Sequence, residues 1–132
     1  MHALIVEDNP VNYMIMRNQL EKLGVVAHVC LHGKEAMDYC ITHGMPDLIL
    51  LDGFMPEMDG IAFLSWIRNY PGGDAPYILF CSSSLDKIDV DEALRLGADI
   101  HHPKPLAQPD LIAAIAQTIA RLPALKHTHH HR

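Results

Sequence analysis

Residues 48–60 read "LILLDGFMPEMDG", and this stretch decides the fold. Four apolar residues, Leu48 to Leu51, run into Asp52, and Gly53, Phe54, Met55 and Pro56 follow. An extended run that is apolar on both faces is a central strand, the situation of a parallel sheet covered by helices on both sides. Ending it with a carboxylate is costly unless groups from elsewhere in the chain meet the charge. The flanking sequence has to supply them.

On either side, short apolar runs alternate with helix-period segments, the pattern of an α/β sheet. Strand one is expected at residues 3–7. Asn9 then caps a helix with Pro10 at its first position. Tyr13, Met16, Leu20 and Leu23 recur at helical spacing, and Gly24 suits the stop. Residues 25–30 read as a weaker strand with His28 among its apolar residues, which places it at an edge. Residues 33–43 read as a helix with Ala36, Met37, Cys40 and Ile41 inward, ended by Gly44.

The quoted strand spans residues 47–52. A helix at 60–69 carries Ile61, Phe63, Leu64 and Ile67 inward, and "YPGGDAP" after it is a loop. Strand four is expected at 77–82, a helix at 86–96 closed by Gly97, and a short last strand at 98–101. A final helix runs from about Pro109 to Arg121 with Leu111, Ile115, Ile119 and Leu122 on one face. The pattern shows no internal repeat and no second domain.

Bulk properties narrow the class. The 132 residues suit one domain, and 49% hydrophobic with 20% charged residues is a soluble globular composition. A net charge of −6 argues against a nucleic-acid surface, which needs clustered Lys and Arg. No apolar run approaches a membrane span, and the start "MHALIVED" lacks the features of a signal peptide. Cys30, Cys40 and Cys81 are odd in number and widely spaced, so they read as reduced thiols used for packing, which points to the cytoplasm. The end "KHTHHHR" holds four of the ten histidines. Residues 123–132 are therefore read as a disordered His-rich tail outside the fold.

Five β/α units suggest a doubly wound sheet, where ligands sit at the carboxyl ends of the strands near the topological switch point. The residues just past each strand matter most: Glu7 and Asp8, Asp52, Ser82 to Ser84, then Lys104 and Pro105. Singly, each has an ordinary reading as a turn, capping or solvated residue. Together they put three carboxylates, a hydroxyl and an ammonium at one sheet edge. Crowded carboxylates repel and cannot all stay ionised without a cation. Hard oxygen ligands in that number suit Mg²⁺, and an ionised aspartate beside it can become an aspartyl-phosphate. Phosphoryl transfer then needs little beyond positioning and neutralisation of oxygen charge.

These residues carry a resemblance. Over residues 1 to about 122 the chain resembles the receiver domain of bacterial two-component response regulators. The motifs are "LIVEDN" for the acidic pair, "LILLDGFMPEMDG" around the acceptor, a hydroxyl residue ending strand four, and "GADIHHPKP" around the lysine. "VEDNPVN" looks most like stand-alone receivers or those of hybrid sensor kinases. The resemblance implies a single flavodoxin-like domain, a five-stranded parallel sheet of order 2-1-3-4-5. It implies that Asp52 accepts a phosphoryl group from a phosphohistidine of a histidine kinase or histidine phosphotransfer protein. Asp8 and Asp52 would bind Mg²⁺ directly, Glu7 through water, and the backbone carbonyl of Phe54 as a further ligand. Lys104 would pair with the phosphoryl oxygens.

Two positions depart from the family's pattern. Its usual threonine corresponds to Ser82 counting from Asp52 and Gly97, and to Cys81 counting from Pro76. Ser82 is preferred because a thiol is a weak donor. The switch position three before the lysine, normally Tyr or Phe, is His101, which reads equally as a plain edge-strand histidine. The protein is expected to be a switch and not an enzyme, with only self-catalysed phosphorylation and slow autodephosphorylation. No output domain follows the last helix, so readout is expected through a downstream protein partner or within a longer chain, with no nucleic acid or membrane contacted. A Mg²⁺-dependent phosphatase of the haloacid-dehalogenase type is the rival, but that family needs an acid two residues after the nucleophile, where Phe54 stands. A degenerate receiver that binds partners without phosphorylation is the third reading.

Overall fold

The computed structural model describes residues 1–52, 60–83, 87–104, 113, 115–117, 119 and 120. In chain order the elements are β1 (His2–Val6), α1 (Pro10–Lys22), β2 (Val26–Cys30), α2 (Gly33–His43), β3 (Leu48–Asp52), α3 (Gly60–Asn69), β4 (Tyr77–Ser83), α4 (Lys87–Leu96) and β5 (Ile100–Lys104). The five strands form one parallel sheet in the order β2-β1-β3-β4-β5. The doubly wound fold read from the alternation is therefore the fold observed.

Strand alternation sorts the core into two layers. Leu4, Val6, Ile49, Leu51, Ile78 and Phe80 face one layer, with Ala36 and Cys40 of α2, Phe63, Leu64 and Ile67 of α3, and Ala93 of α4. Ala3, Ile5, Leu48, Leu50, Leu79 and Cys81 face the other, with Met16 and Leu20 of α1 and Ile115. All five residues of β3 are buried, as a central strand requires. β2 lies at an edge, with Val26 and His28 exposed. Asn9 caps α1 as expected: its Oδ1 accepts from the backbone N–H of Val11 at 2.9 Å and of Asn12 at 3.2 Å.

Several expected details are corrected. β5 spans Ile100–Lys104, not residues 98–101, so Lys104 is the last strand residue instead of lying past it. Pro103 reads as a strand breaker, but among the described residues β5 pairs only with β4, and an edge strand tolerates a residue without an N–H. β1 begins at His2 and ends at Val6, and β4 continues to Ser83. Ile41 is 51% exposed, because the inward face of α2 is taken by Ala36 and Cys40 four residues apart. Leu23 is the C-cap of α1 and is also exposed.

Of the expected final helix, residues 113, 115–117, 119 and 120 are helical, with Ile115 buried and Ile119 packed beside it. Leu111 and Leu122 lie outside the described residues, as does Asp86. Gly44 closes α2 with φ at 91°, a conformation that favours glycine. Among the described residues, no helix is long and apolar enough to cross a membrane.

Candidate functional site

The sheet order creates the site. The chain leaves β1 for β2 on one side and returns to β3 on the other, so the carboxyl ends of β1 and β3 lie side by side at the switch point. Val6 of β1 pairs with Leu51 of β3. Glu7 follows β1 immediately, and Asp52 ends β3.

Glu7 is held firmly. Its N–H donates to the Cys30 carbonyl at 3.0 Å, and its Oε2 accepts from the Asn9 N–H at 3.1 Å. Asn9 is in turn fixed as the α1 cap, so one short turn sets both the acid and the helix start. Glu7 and Asp52 are only 1% and 3% exposed, whereas Asp8 is open to solvent. One carboxylate oxygen from each of Glu7, Asp8 and Asp52 lies within 4.8 Å of the other two. Like charges at this spacing disfavour full ionisation unless a cation compensates. Two of the three are buried, unlike ordinary surface acids. Three hard oxygen donors, one of them exposed, are a fitting cradle for a small divalent cation.

The other expected residues are placed by the backbone. Asp52 pairs in register with Cys81, Ser82 with Pro103, and Ser83 with Lys104. The end of β4 therefore stands beside that of β3, and the end of β5 one strand further out. Cys81 is completely buried in the layer under α1. The side chains of Ser82 and Lys104, and the whole of Phe54, lie outside the described residues. His101 pairs with Phe80, and their rings stand 6.3 Å apart, tilted by 41°.

Sequence reasoning missed Arg68. The side chain is buried at the end of α3 and donates to the carbonyls of Gly97 at 2.9 Å, Gly73 at 2.8 Å and Pro76 at 2.8 Å. It also meets the Asp99 carboxylate at 3.0 Å. The available signal was its helical spacing, four residues after the buried Leu64.

Comparison with known proteins gives this geometry a family. Residues 3–116 match the family model of the response regulator receiver domain. The chain belongs to that family, a family of signalling domains. The aerobic respiration control sensor protein ArcB of Escherichia coli is 35% identical over 116 residues, covering 87% of this chain and 15% of that protein. The chain thus spans only a small part of the sensor's length. The chemotaxis protein CheY of Halobacterium salinarum is 29% identical over 117 residues, covering 89% of this chain and 95% of that one. Among solved structures, the signal receiver domain of a signal transduction histidine kinase from Syntrophus aciditrophicus superposes with a TM-score of 0.79 at 31% identity. That match covers 92% of this chain and 88% of the other.

Proposed function

We propose that the protein is a phosphoacceptor switch in which Asp52 receives a phosphoryl group from a phosphohistidine of a sensor kinase or histidine phosphotransfer protein. The observation that carries this reading is the meeting of Glu7, Asp8 and Asp52 oxygens within 4.8 Å at the switch point of the sheet. In the transfer, an Asp52 oxygen attacks phosphorus and a P–O bond forms. The P–N bond of the donor breaks, and its imidazole leaves with the electron pair. Glu7, Asp8, Asp52 and the Phe54 carbonyl would hold Mg²⁺, which when bound neutralises charge on the phosphoryl oxygens. Lys104 adds a second positive charge to those oxygens, and the Ser82 hydroxyl donates to one of them.

Phosphorylation then changes affinity for a downstream protein, with Ser82 and His101 relaying the change. The receiver unit occupies residues 1–122, with the His-rich 123–132 as a tail outside it, and the setting is the cytoplasm. A net charge of −6 supports a protein partner over nucleic acid.

The test is incubation with a small phosphodonor, with and without Mg²⁺, and mass-spectrometric mapping of the modified residue. Labelling of Asp52 is expected only with the cation. Equal labelling of Asp52→Asn, or of the wild type without any divalent ion, would overturn the assignment. A panel of histidine kinases and phosphotransfer domains then identifies the donor class.

A further inference from the structure

Away from the acidic site, four rings from three elements meet at the outer edge of the sheet. Tyr39 of α2 lies against His28 of β2 with ring centroids 4.3 Å apart and planes within 17°. His43, the last residue of α2, stands 4.6 Å from the same ring, tilted by 35°. His2 of β1 stacks at 6.0 Å, and its Nε2 is 2.9 Å from the Tyr39 hydroxyl. Tyr39 is thus the shared neighbour of three imidazoles. His28 lies on the ring face, His43 is tilted against it and His2 reaches the hydroxyl, and their nitrogens form no group of metal ligands. Among the described residues, the one group of closely spaced ligating atoms is the acidic set.

The charges around the stack are unbalanced. Glu35 in the first turn of α2 is the acid that favours a proton on His28. Against it stand His2, His43 and Arg17 of α1, each of which disfavours that proton. The Asp47 carboxylate is engaged by the His2 backbone N–H at 2.9 Å. On the open side of α2, Lys34 and Asp38 face each other at 3.7 Å. Cys30 and Cys40, the nearby thiols under α2, are held neutral by burial. A single imidazolium can rest on a tyrosine face through its cation–π attraction. A positive charge on His28 in this crowd is opposed by His2, His43 and Arg17, and Glu35 alone does not offset them.

We propose that this stack is a proton-operated latch: the neutral His28 ring on Tyr39 holds the C-terminal half of α2 to the β1–β2 edge, and its protonation releases it. The direction of the His28 pKa agrees. It lies below the ordinary 6.5, chiefly because burial penalises the charged ring. A histidine that is harder to protonate in the folded state favours folding above 6.5, and that contribution is lost as pH falls through 6.5 toward the folded value.

The test is an NMR titration of the full chain from about pH 7.5 to about 5, following histidine ring signals and backbone amides. His28 should titrate below 6.5. Amides of residues 37–44 should follow the same midpoint. Their exchange protection, corrected for the intrinsic pH dependence, should fall across that midpoint relative to α3. In His28→Gln, which cannot titrate, the fall should shrink by more than half. If that variant does not fold, His43→Gln at the exposed helix end removes one neighbour that disfavours the His28 proton, and the amide midpoint should move up with that of His28. Amides 37–44 that ignore the histidine midpoint, or variants that respond like the wild type, would overturn the latch.

Discussion

The guanidinium of Arg68 and the carboxylate of Asp99 meet at 3.0 Å, with 2% and 14% of the two side chains exposed. The same Asp99 oxygen accepts from the Ile78 N–H at 2.7 Å, so α3, β4 and the approach to β5 are tied at one point. This contact sets where β5 begins, one residue later at Ile100, and so the register that carries His101 and Lys104 beside β4. Removing one partner of a buried pair leaves the other charge stranded, at a cost of about 3–5 kcal/mol. Arg68→Met should lower the unfolding free energy by that amount in urea denaturation. Asp99→Asn should lose less, about 1–3 kcal/mol, because the stranded guanidinium keeps three carbonyl acceptors and the amide oxygen can still accept from Ile78. An Arg68→Met protein within about 1 kcal/mol of wild type would show that the network is dispensable.

Signal transmission through His101 has its own expected outcome. Phosphate on Asp52 is expected to draw the Ser82 hydroxyl inward and open space for the His101 ring, a two-state shift. His101 already stands beside Phe80 at 6.3 Å, next to the strand that carries Ser82. Amide NMR spectra with and without a beryllofluoride phosphate mimic should show changes that reach β5. Changes confined to the neighbourhood of Asp52 would refute the coupling.

Phe54 predicts a long-lived phosphoprotein. In the family that the sequence resembles, the residues two past the acceptor and two past the hydroxyl flank the path of the attacking water; by count these positions fall on Phe54 and Ser84, which lie outside the described residues. An apolar ring offers water no hydrogen bond, and Ser84 is short and uncharged. Loss of one positioning contact is worth about 1–3 kcal/mol, or roughly ten- to a hundredfold in rate. Decay of the phosphorylated wild type should be slower than that of Phe54→Asn by such a factor. An unchanged or slower variant would mean that the ring does not guard the phosphate.

Cys30 and Cys40 should be inert in the folded protein. Burial pushes Cys30 up to about 12 and Cys40 up to about 11, from an ordinary 9.0. Only the thiolate reacts, so alkylation near pH 8 should be slow at both until the chain is unfolded. The linkage has a definite sign. Raised folded values favour the neutral form, so their contribution is complete below 9.0 and is lost as pH rises from there toward 11 and 12. Stability should therefore decline on the alkaline side in denaturation series. Rapid labelling of native Cys30 or Cys40 at pH 8 would contradict the burial that underlies both expectations.

The local pattern carried much of this. Periodicity and apolar runs are properties of consecutive residues, and they were enough for the order of strands and helices, the limits of α2 and α3, the buried β3 and the exposed β2 edge. The same reasoning marked Glu7, Asp8 and Asp52, because each follows or ends an apolar run.

What depends on neighbours distant in sequence was decided by the tertiary structure. Only the adjacency of β1 and β3 brings the three carboxylates within 4.8 Å. Pro103 belongs to β5 because, among the described residues, no strand pairs with that strand's outer edge, a fact absent from the residues around it. Ile41 faces outward because Ala36 and Cys40 already fill the contact between α2 and the sheet. Arg68 and Asp99 are 31 residues apart, and His2 and Tyr39 are 37 apart. A chain's local preferences do not encode such meetings, since each becomes favourable only once the packed sheet has removed both groups from water and set them side by side.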